Sequence, residues 1–405
     1  MATRPLPLNQ LRHEAAPQPG VKICHISSVS TLTARAFYRE CVHMAELGYD
    51  VCLICPGEKD RAKNGVQVLG YRRGNGAISR LLASPFALQA ALRQKADIYH
   101  LHSPQMLPVG WILKLFFRKR VVYDIFEDFP SMALTKEKLP LAIRKTIGGL
   151  VYWIESASCK VFDGVVTADP SVMRMYARAA SGQKIVFYNL PSLQLFNAVH
   201  NGHPKRYDIV YSGGISERTG IYVLLSAVHH LVARGMKPKI LIFGYFDSEA
   251  SAQQLKNRIS ELGLTEQVEV KGRVTPPEVP GLLRQARIGV VPLQPIPKFM
   301  KNIPTKLFEY WACGLATVVS DLPPMRPFLG NNRYGFCVNP ADSNEFARAL
   351  EWLIKNPEKT EEMGREARKA VLKRLNTDCE RKRLAAFYQR VLGRPGVAKV
   401  YSRVP

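Results

Sequence analysis

The chain has 405 residues, 46% of them hydrophobic, which excludes a wholly disordered protein and predicts two or three domains. Lys and Arg number 57 against 33 Asp and Glu, and the formal charge of +24 at pH 7 favours phosphorylated ligands, nucleic acid or an anionic membrane surface as partners. Residues 1–20 are polar and Pro-rich, and every apolar run is shorter than the roughly 18–20 residues that cross a bilayer, so we predict a cytoplasmic protein.

The first half of the chain alternates strands and helices from residue 21 onward. Short apolar runs indicate strands, and apolar residues recurring every three or four positions indicate helices. In chain order we predict a strand at 21–27, a helix at 33–47, strands at 50–55 and 66–71, a helix at 78–94, a strand at 97–102, a helix at 111–117, a strand from 120, a helix at 141–159, and strands at 164–167 and 184–188. This alternation is typical of a parallel sheet covered by helices on both faces.

One pair of cysteines has the spacing of a metal or redox site, and its position in the sequence decides whether it is one. Cys52 and Cys55 form Cys-x-x-Cys, which serves such sites when it lies on a turn or a helix start. Here both fall inside the predicted apolar strand 50–55, so we expect them to pack in the core. The eight cysteines of a long cytoplasmic chain are expected to be free thiols.

The same rhythm restarts after a polar stretch without periodicity at residues 192–206, which we interpret as a linker. Predicted strands and helices follow at 207–212, 221–235, 239–243, 251–262, 268–270, 277–286, 288–292, 304–312, 316–319, 344–355, 359–375 and 377–392. The fold class predicted is α/β, with two doubly wound Rossmann-like domains facing each other across a cleft and a C-terminal helix crossing back to the first domain. The predicted boundaries are a disordered tail at 1–20, an N-terminal Rossmann-like domain at 21–191, the linker at 192–206, a C-terminal Rossmann-like domain at 207–375, the crossover helix at 376–392 and a tail at 393–405.

Residues 304–321 are the most informative segment of the sequence. Pro304 suits a first helical turn, and Gly314 stands where a left-handed glycine ends a helix before an apolar strand. Lys306 and Glu309 are three residues apart and share one face near the helix N-terminus, where free N–H groups suit a phosphate. An ordinary surface ion pair explains the same spacing, and the spacing alone does not decide between the two interpretations.

Several segments, in this order, resemble retaining glycosyltransferases of the two-Rossmann-domain architecture (GT-B), close to glycosyltransferase family four. The resemblance covers residues 21–392. The segments that carry it are Asp-Ile-Tyr-His-Leu-His at 97–102, Val-Val-Tyr-Asp-Ile-Phe-Glu-Asp-Phe-Pro at 121–130, the helix and strand at 155–167, Tyr-Ser-Gly-Gly-Ile at 211–215 and Pro-Thr-Lys-Leu-Phe-Glu-Tyr at 304–310.

The resemblance implies a nucleotide diphosphate sugar, UDP- or GDP-linked, held by the second domain. Glu309 would bind the ribose diol, since a carboxylate can accept from two adjacent hydroxyls. The diphosphate would lie near Lys306, Arg218 and the glycine turn at 213–214, and the base would lie near two residues at strand ends. The implied donor-binding residues are Glu309, Lys306, Thr305, Arg218, Gly213 and Gly214, with Gly244 and Val274 near the base. The alternative for Gly244 is that it serves only the backbone turn and does not contact the base.

Four residues depart from the family pattern. Gly214 and Thr219 stand where the glycine turn usually carries Arg and Lys, with Arg218 one residue early. Lys301 replaces the first of two glutamates that are usually eight residues apart. Phe126 stands where a histidine often binds the donor sugar, which leaves the sugar's identity open.

Chemistry is implied by the same resemblance. Transfer with retention needs stabilisation of the leaving diphosphate, and Lys306, Arg218 and the helix N-terminus can supply it without a metal, so we predict no metal site and no cofactor beyond the nucleotide sugar. The leaving phosphate would take the acceptor proton, with Glu127 or Asp124 assisting. His102 is a further catalytic candidate, although a histidine at a strand end is often structural.

Basic and aromatic residues alternate at 111–120 and 139–153, a pattern that suits an anionic membrane surface more than a DNA groove. We therefore predict peripheral binding to the cytoplasmic face of a membrane and a lipid-linked or glycan acceptor in cell-surface polysaccharide synthesis, with no nucleic-acid partner. Solvated helices with apolar faces in the core are the alternative for these segments. Alternatives for the function are a sugar-nucleotide epimerase of the same fold and a catalytically silent nucleotide-sugar-binding scaffold.

Overall fold

The computed structural model describes residues 20–29, 34–72, 77–134, 139–197, 204–329 and 331–394. The described chain divides into two compact units, one formed by residues 20–188 with 380–394 and the other by residues 189–379. The predicted tails at 1–20 and 393–405 therefore lie almost wholly outside the described residues.

The first unit is built on a sheet that has eight strands among the described residues. They are β1 (Lys22–Ser27), β2 (Asp50–Pro56), β3 (Arg61–Lys63), β4 (Val66–Tyr71), β5 (Ile98–His102), β6 (Arg120–Ile125), β7 (Gly164–Thr167) and β8 (Gln183–Val186). Their spatial order is β3-β4-β2-β1-β5-β6-β7-β8, parallel except for the β3–β4 pair. The order of connection reverses at β1, and the carboxyl ends of strands at such a switch point are where doubly wound sheets bind ligands.

Helices of the first unit cover both faces of that sheet. Their bounds are a π-helix at Ala34–Cys41 and α-helices at Val42–Glu46, Ala77–Leu82, Ser84–Gln94, Leu107–Leu115, Phe129–Leu134, Leu141–Val161, Pro170–Tyr176 and Thr377–Val391. The last helix packs Leu384, Phe387 and Tyr388 into the core beneath β1 and β2, as the predicted return of the C-terminal helix requires. Cys52 and Cys55 are fully buried in β2, which confirms the core interpretation, and all eight cysteines, each within the described residues, are free thiols.

The second unit contains a parallel sheet with six strands in the described chain. They are β9 (Tyr207–Ile215), β10 (Ile240–Phe246), β11 (Val268–Lys271), β12 (Ala286–Val291), β13 (Ala316–Ser320) and β14 (Gly335–Val338), in the order β11-β10-β9-β12-β13-β14. The switch point falls at β9. The helices are Leu193–Asn197, Ile221–Ala233, Glu249–Glu261, Val279–Leu283, Thr305–Ala312, Arg326–Leu329, Ser343–Lys355 and Pro357–Lys373.

Two doubly wound Rossmann-like units confirm the predicted fold class. Local differences have physical causes. The predicted helix 78–94 is two helices separated at Ala83, and Pro85 occupies the first turn of the second, where a proline's missing N–H is tolerated. A short helix, Leu193–Asn197, lies inside the predicted linker, and residues 198–203 of that linker lie outside the described part of the chain.

Candidate functional site

The carboxyl end of β9 makes a backbone turn that only glycines fit. Gly213 has φ +112°, and Gly244, its register partner on β10, has φ +149°. A Cβ on Gly244 would lie 1.8 Å from the carbonyl oxygen of Gly213, which no side chain tolerates. The two glycines thus keep the switch point of the second sheet free of side chains.

Lys306 extends its side chain to this glycine turn. A Cβ on Gly213 would lie 3.0 Å from the Lys306 Nζ, and the same Nζ lies 4.1 Å from the ring centre of Tyr211. The residue as a whole is half-buried, but its amino group is enclosed by protein atoms, and this desolvation lowers the pKa of Lys306 to about 7 despite the opposing charge of Glu309. The site therefore holds a cationic group with little hydration beside an open backbone.

The helix Thr305–Ala312 that presents Lys306 is fixed to the sheet by Tyr310. The Tyr310 hydroxyl accepts a 2.8 Å hydrogen bond from the Ser212 N–H, and its ring packs on Gly289, where a Cβ would lie 2.3 Å from the ring. Gly314 ends the helix with φ +75°, as predicted. Thr305 and Glu309 are half-buried on this helix, and Glu309 is close enough to act on the charge of Lys306.

Other predicted donor residues are more dispersed. Gly214 faces Tyr245, whose ring would lie 3.1 Å from an added Cβ. Arg218 lies in a 3-10 turn after β9 and forms an exposed ion pair of 3.1 Å with Asp247, just beyond β10. Val274 is half-buried in the loop that follows β11. The structure thus brings Lys306, Glu309, Thr305 and the glycines to one place and sets Arg218 in a separate ion pair.

Asp124, a predicted catalytic carboxylate, is fully buried at the end of β6. Arg35 donates to both of its oxygens at 2.7 and 2.8 Å, and His102 Nδ1 lies 3.2 Å from Oδ2. Burial alone would raise the pKa of Asp124, but the Arg35 charge and the hydrogen bonds from His102 and Arg35 hold it well below its usual range. A permanently ionised carboxylate with both oxygens occupied suits a positioning role better than proton transfer.

Three more buried side chains surround His102, and the sequence reasoning did not join them into a site. His25 is on β1, His100 on β5 and Glu40 on the π-helix, and all three are inaccessible to solvent. Burial and the neighbouring His102 lower the pKa of His25 and His100 well below the usual value, and burial raises the pKa of Glu40. The strand register places His25 opposite His100. For Glu40, the sequence offered one signal: a charged residue within the largely apolar stretch 34–44.

Glu127 is more accessible to solvent than the other two predicted catalytic residues, Asp124 and His102. It is half-buried in the loop after β6, where its carbonyl oxygen accepts a hydrogen bond from the Phe129 N–H. Asp128 begins the next helix by accepting hydrogen bonds from the Ser131 N–H and hydroxyl at 3.0 and 2.6 Å. Phe126 packs edge-on against Phe129 at 5.3 Å.

The basic and aromatic segments expose many of their apolar side chains, although Leu113 is buried in the core and Trp111 packs against it. Phe116 is 79% and Trp153 68% exposed, and the helix Leu141–Val161 that carries Trp153 contacts the helix Leu107–Leu115. We call the exposed set the apolar patch: Leu115, Phe116, Phe117, Leu141, Ile143, Leu150, Tyr152 and Trp153. Within the described residues, no helix combines the length and apolar character that crossing a bilayer requires.

Sequence profiles of two families match the chain and decide its class. The "Glycosyl transferases group 1" profile matches residues 196–370, which hold the glycine turn and Lys306, and the "Glycosyl transferase 4-like domain" profile matches residues 33–189. Both units of the chain thus carry glycosyltransferase domains. These matches confirm that the chain resembles the two-Rossmann-domain glycosyltransferases and that it is a glycosyltransferase.

Curated relatives of this glycosyltransferase match part of its length. A D-inositol 3-phosphate glycosyltransferase of Paenarthrobacter aurescens is 27% identical over 166 residues, 40% of this chain and 39% of the relative. The amylovoran biosynthesis glycosyltransferase AmsK of Erwinia amylovora is 29% identical over 160 residues, 39% of this chain and 38% of the relative. The chain thus matches about two fifths of the length of each.

Solved structures of low identity share the fold. Sucrose-phosphate synthase from Thermosynechococcus elongatus has a TM-score of 0.75 at 17% identity, over 92% of this chain and 99% of that one. HepE of Anabaena, solved in complex with UDP, has a TM-score of 0.67 at 14% identity, over 91% of this chain and 100% of that one. These likenesses confirm the two-Rossmann-domain architecture.

Proposed function

We propose that this glycosyltransferase moves a hexose-type sugar, with retention, from a UDP- or GDP-linked donor to an acceptor hydroxyl. One observation carries the proposal: the Lys306 amino group stands beside the glycine turn at the switch point of the second sheet. The match of residues 196–370 to the group 1 glycosyltransferases and the likeness in fold to a protein solved with UDP support it.

The Lys306 amino group is suited to a diphosphate. Its desolvation makes the free cation costly, so an arriving dianion removes that cost by direct pairing. Gly213 lets backbone N–H groups approach the same phosphate oxygens, since no side chain stands between them. These contacts strengthen as the sugar–phosphate bond breaks and charge moves to the leaving group, which is how preorganised donors accelerate such a transfer.

Glu309 is placed to anchor the donor's ribose. It lies on the same helix as Lys306 and one turn further along, so a diphosphate at the lysine brings a sugar ring toward the carboxylate. A carboxylate that accepts from two vicinal hydroxyls holds a nucleoside more firmly than a neutral side chain does.

The transfer step is proposed to be independent of Mg²⁺ and Mn²⁺, because Lys306 and the backbone supply the positive charge at the phosphates. Turnover should be the same with and without these ions. A tenfold increase on adding either ion would contradict the proposal.

The first unit is proposed to bind the acceptor at the cytoplasmic face of a membrane, with Glu127 assisting proton transfer from the acceptor hydroxyl. The apolar patch, interleaved with Arg118, Lys119 and Lys145, supports this proposal, because apolar side chains insert at the headgroup boundary while cations pair with anionic lipids. A lipid-linked precursor of a surface polysaccharide would be presented there. AmsK, a relative, is named for the biosynthesis of the polysaccharide amylovoran.

Flotation with liposomes tests the membrane proposal. The wild-type protein should float with vesicles containing anionic lipid, and Trp153→Glu should reduce the bound fraction several-fold. Trp352→Glu is the matched control, because Trp352 is also an exposed tryptophan, 40% accessible, but belongs to the second unit. Equal binding to neutral and anionic vesicles at low salt would contradict the electrostatic part.

A panel of nucleotide sugars tests the activity itself. Thermal shift identifies the donor, and incubation of that labelled donor with a lipid extract should give a labelled glycolipid whose anomeric configuration matches the donor. Conversion of the donor sugar without transfer would indicate the epimerase alternative. Donor binding without any turnover would indicate the silent scaffold.

A further inference from the structure

Four potential metal ligands meet at the switch point of the first sheet. One atom each from His25, Glu40, His100 and His102 can be chosen so that all four lie within 4.8 Å of one another, and all four residues are buried. The donor site proposed above belongs to the second unit and uses none of these four residues. We propose that these side chains form a binding site for a transition-metal dication of the Zn²⁺ type.

The distances between the ligand atoms fit a tetrahedral ion. Bonds of about 2.0–2.1 Å place the ligands of a tetrahedral zinc roughly 3.3 Å apart. Oε2 of Glu40 lies 3.8 Å from His25 Nδ1, 3.6 Å from His100 Nδ1 and 3.8 Å from His102 Nε2. His25 Nδ1 and His102 Nε2 are 2.9 Å apart. These values bracket the expected separation, so shifts of a few tenths of an ångström would complete the coordination.

The hydrogen bonding of the cluster is incomplete without a further partner. Among the described residues, neither oxygen of Glu40 has a hydrogen-bond partner. Arg35 Nε lies 3.3 Å from Oε1 of Glu40, but its hydrogen bond goes to Asp124 at 2.7 Å. A buried carboxylate with no hydrogen bond is costly, and a cation in contact with Oε2 would remove that cost.

The surroundings orient one ligand as metal-bound histidines usually are. His102 Nδ1 lies 3.2 Å from the Asp124 carboxylate, which leaves its Nε2 directed into the cluster, 2.9 Å from His25 Nδ1 and 3.8 Å from Glu40 Oε2. A carboxylate behind a ligating imidazole fixes its tautomer and its orientation. Arg35 neutralises one of the two carboxylates, so a dication would compensate the other. Imidazole with one carboxylate suits Zn²⁺ better than Mg²⁺ or Ca²⁺, which prefer oxygen ligands.

Such an ion would be structural. It would join β1, β5 and the π-helix Ala34–Cys41 at the sheet's ligand-binding edge, and it would hold His102 and Asp124 in place. The ion belongs to the first unit and is assigned no contact with the donor diphosphate, so the proposed independence of transfer from Mg²⁺ and Mn²⁺ does not conflict with it.

Metal analysis of the purified full-length protein is the direct test. After removal of metals by a chelator and dialysis against Zn²⁺, the protein should retain about one equivalent and its melting temperature should rise by roughly 5 °C or more. Co²⁺ in place of Zn²⁺ should give the intense visible bands of a tetrahedral nitrogen and oxygen site, without the near-ultraviolet band of cobalt bound to thiolate.

Variants separate this site from adventitious binding. Glu40→Gln and His25→Gln should each lose the bound equivalent and the Co²⁺ bands. His43→Gln is the matched control, because His43 is a buried histidine of the same unit whose Nδ1 contacts the Arg39 carbonyl oxygen instead, and it should keep both. Tyr388→Phe should also keep both, since the Tyr388 hydroxyl only competes for His100 Nδ1 at 2.6 Å.

Two outcomes would overturn the proposal. One is a wild-type protein that retains no Zn²⁺ and gives no tetrahedral Co²⁺ spectrum. The other is undiminished binding by a Glu40→Gln protein that still unfolds cooperatively. The wild-type measurement decides the matter even if every cluster variant fails to fold.

Discussion

The two sheets use the same topological position in opposite ways. At the switch point of the first sheet, Arg35 and His102 both pair with Asp124 in a buried cluster. At the switch point of the second sheet, glycines leave the backbone uncovered by side chains, and Lys306 lies beside them. Among the described residues, Lys306 forms no ion pair with a carboxylate. The fold supplies the position, and the side chains decide whether it becomes a closed structural centre or a site poised for an anion.

Removing a charge from the first centre should have the largest effect. Arg35→Met leaves Asp124 buried and ionised without its cation, and we expect a loss of about 3–5 kcal/mol in the free energy of unfolding, measured by urea denaturation. The double variant Arg35→Met with Asp124→Asn should recover part of that loss, because position 124 then carries no unpaired charge. A loss below about 1 kcal/mol for the single variant would contradict the closed-centre description.

The glycine turn of the second centre should be nearly as sensitive, but for steric reasons. Gly244→Ala drives a Cβ into the Gly213 carbonyl and should cost about 3 kcal/mol. Gly235→Ala is the matched control, since Gly235 also has positive φ, +81°, but nothing within 4 Å of an added Cβ, so it should cost about 1 kcal/mol. Equal losses would show that the close approach of β9 and β10 does not matter.

Charge removal at the second centre should separate binding from stability. Lys306→Met should change the free energy of unfolding little, because the desolvated cation gains nothing in the free protein, yet weaken donor binding by about 10–100-fold. Calorimetric titration with the identified donor measures the effect. Lys271→Met is the control, because Lys271 is a half-buried lysine on β11 that pairs with Glu269, and it should leave donor affinity unchanged. A Lys306→Met protein that binds donor normally would remove the phosphate role.

The pH dependence of donor binding should be the smallest effect, and it distinguishes the two centres further. The pKa of Lys306 in the free protein is about 7, and a bound diphosphate raises it, so binding takes up a proton above pH 7. The donor dissociation constant should therefore rise as pH increases from 7 to 9, by up to about tenfold per unit. A constant affinity over this range would show that the lysine is not titrating at the donor.

Sequence pattern was sufficient for twelve of the fourteen strands among the described residues, with β3 and β14 missed, and for the segments that meet at the second centre. Apolar, β-branched runs such as 164–167 coincide with observed strands, because parallel strands buried on both faces leave little else possible. Lys306, Glu309 and Gly213 were found because residues 304–310 and 211–215 are short, contiguous motifs. Short helices such as Phe129–Leu134 were missed, since six residues hold too little periodicity.

The first centre could not be read in the same way. Arg35 meets Asp124 across 89 positions and His25 meets His102 across 77, so the contacts depend on strand register rather than on local spacing. The sequence placed Asp124 and His102 among catalytic candidates because they follow buried strands. It could not show that Arg35 and Glu40 enclose them, because both lie in a segment that resembles an ordinary amphipathic helix.

Donor affinity of the Glu309→Gln variant tests the central claim most directly. The substitution keeps the shape of the side chain and removes the charge that would hold the ribose hydroxyls, so the dissociation constant of the identified nucleotide sugar should rise by about tenfold or more while the melting temperature stays constant. Glu266→Gln, at an exposed position of the same unit, should bind like the wild type. An affinity equal to that of the wild type in Glu309→Gln would contradict the assignment of this helix as the donor-binding element.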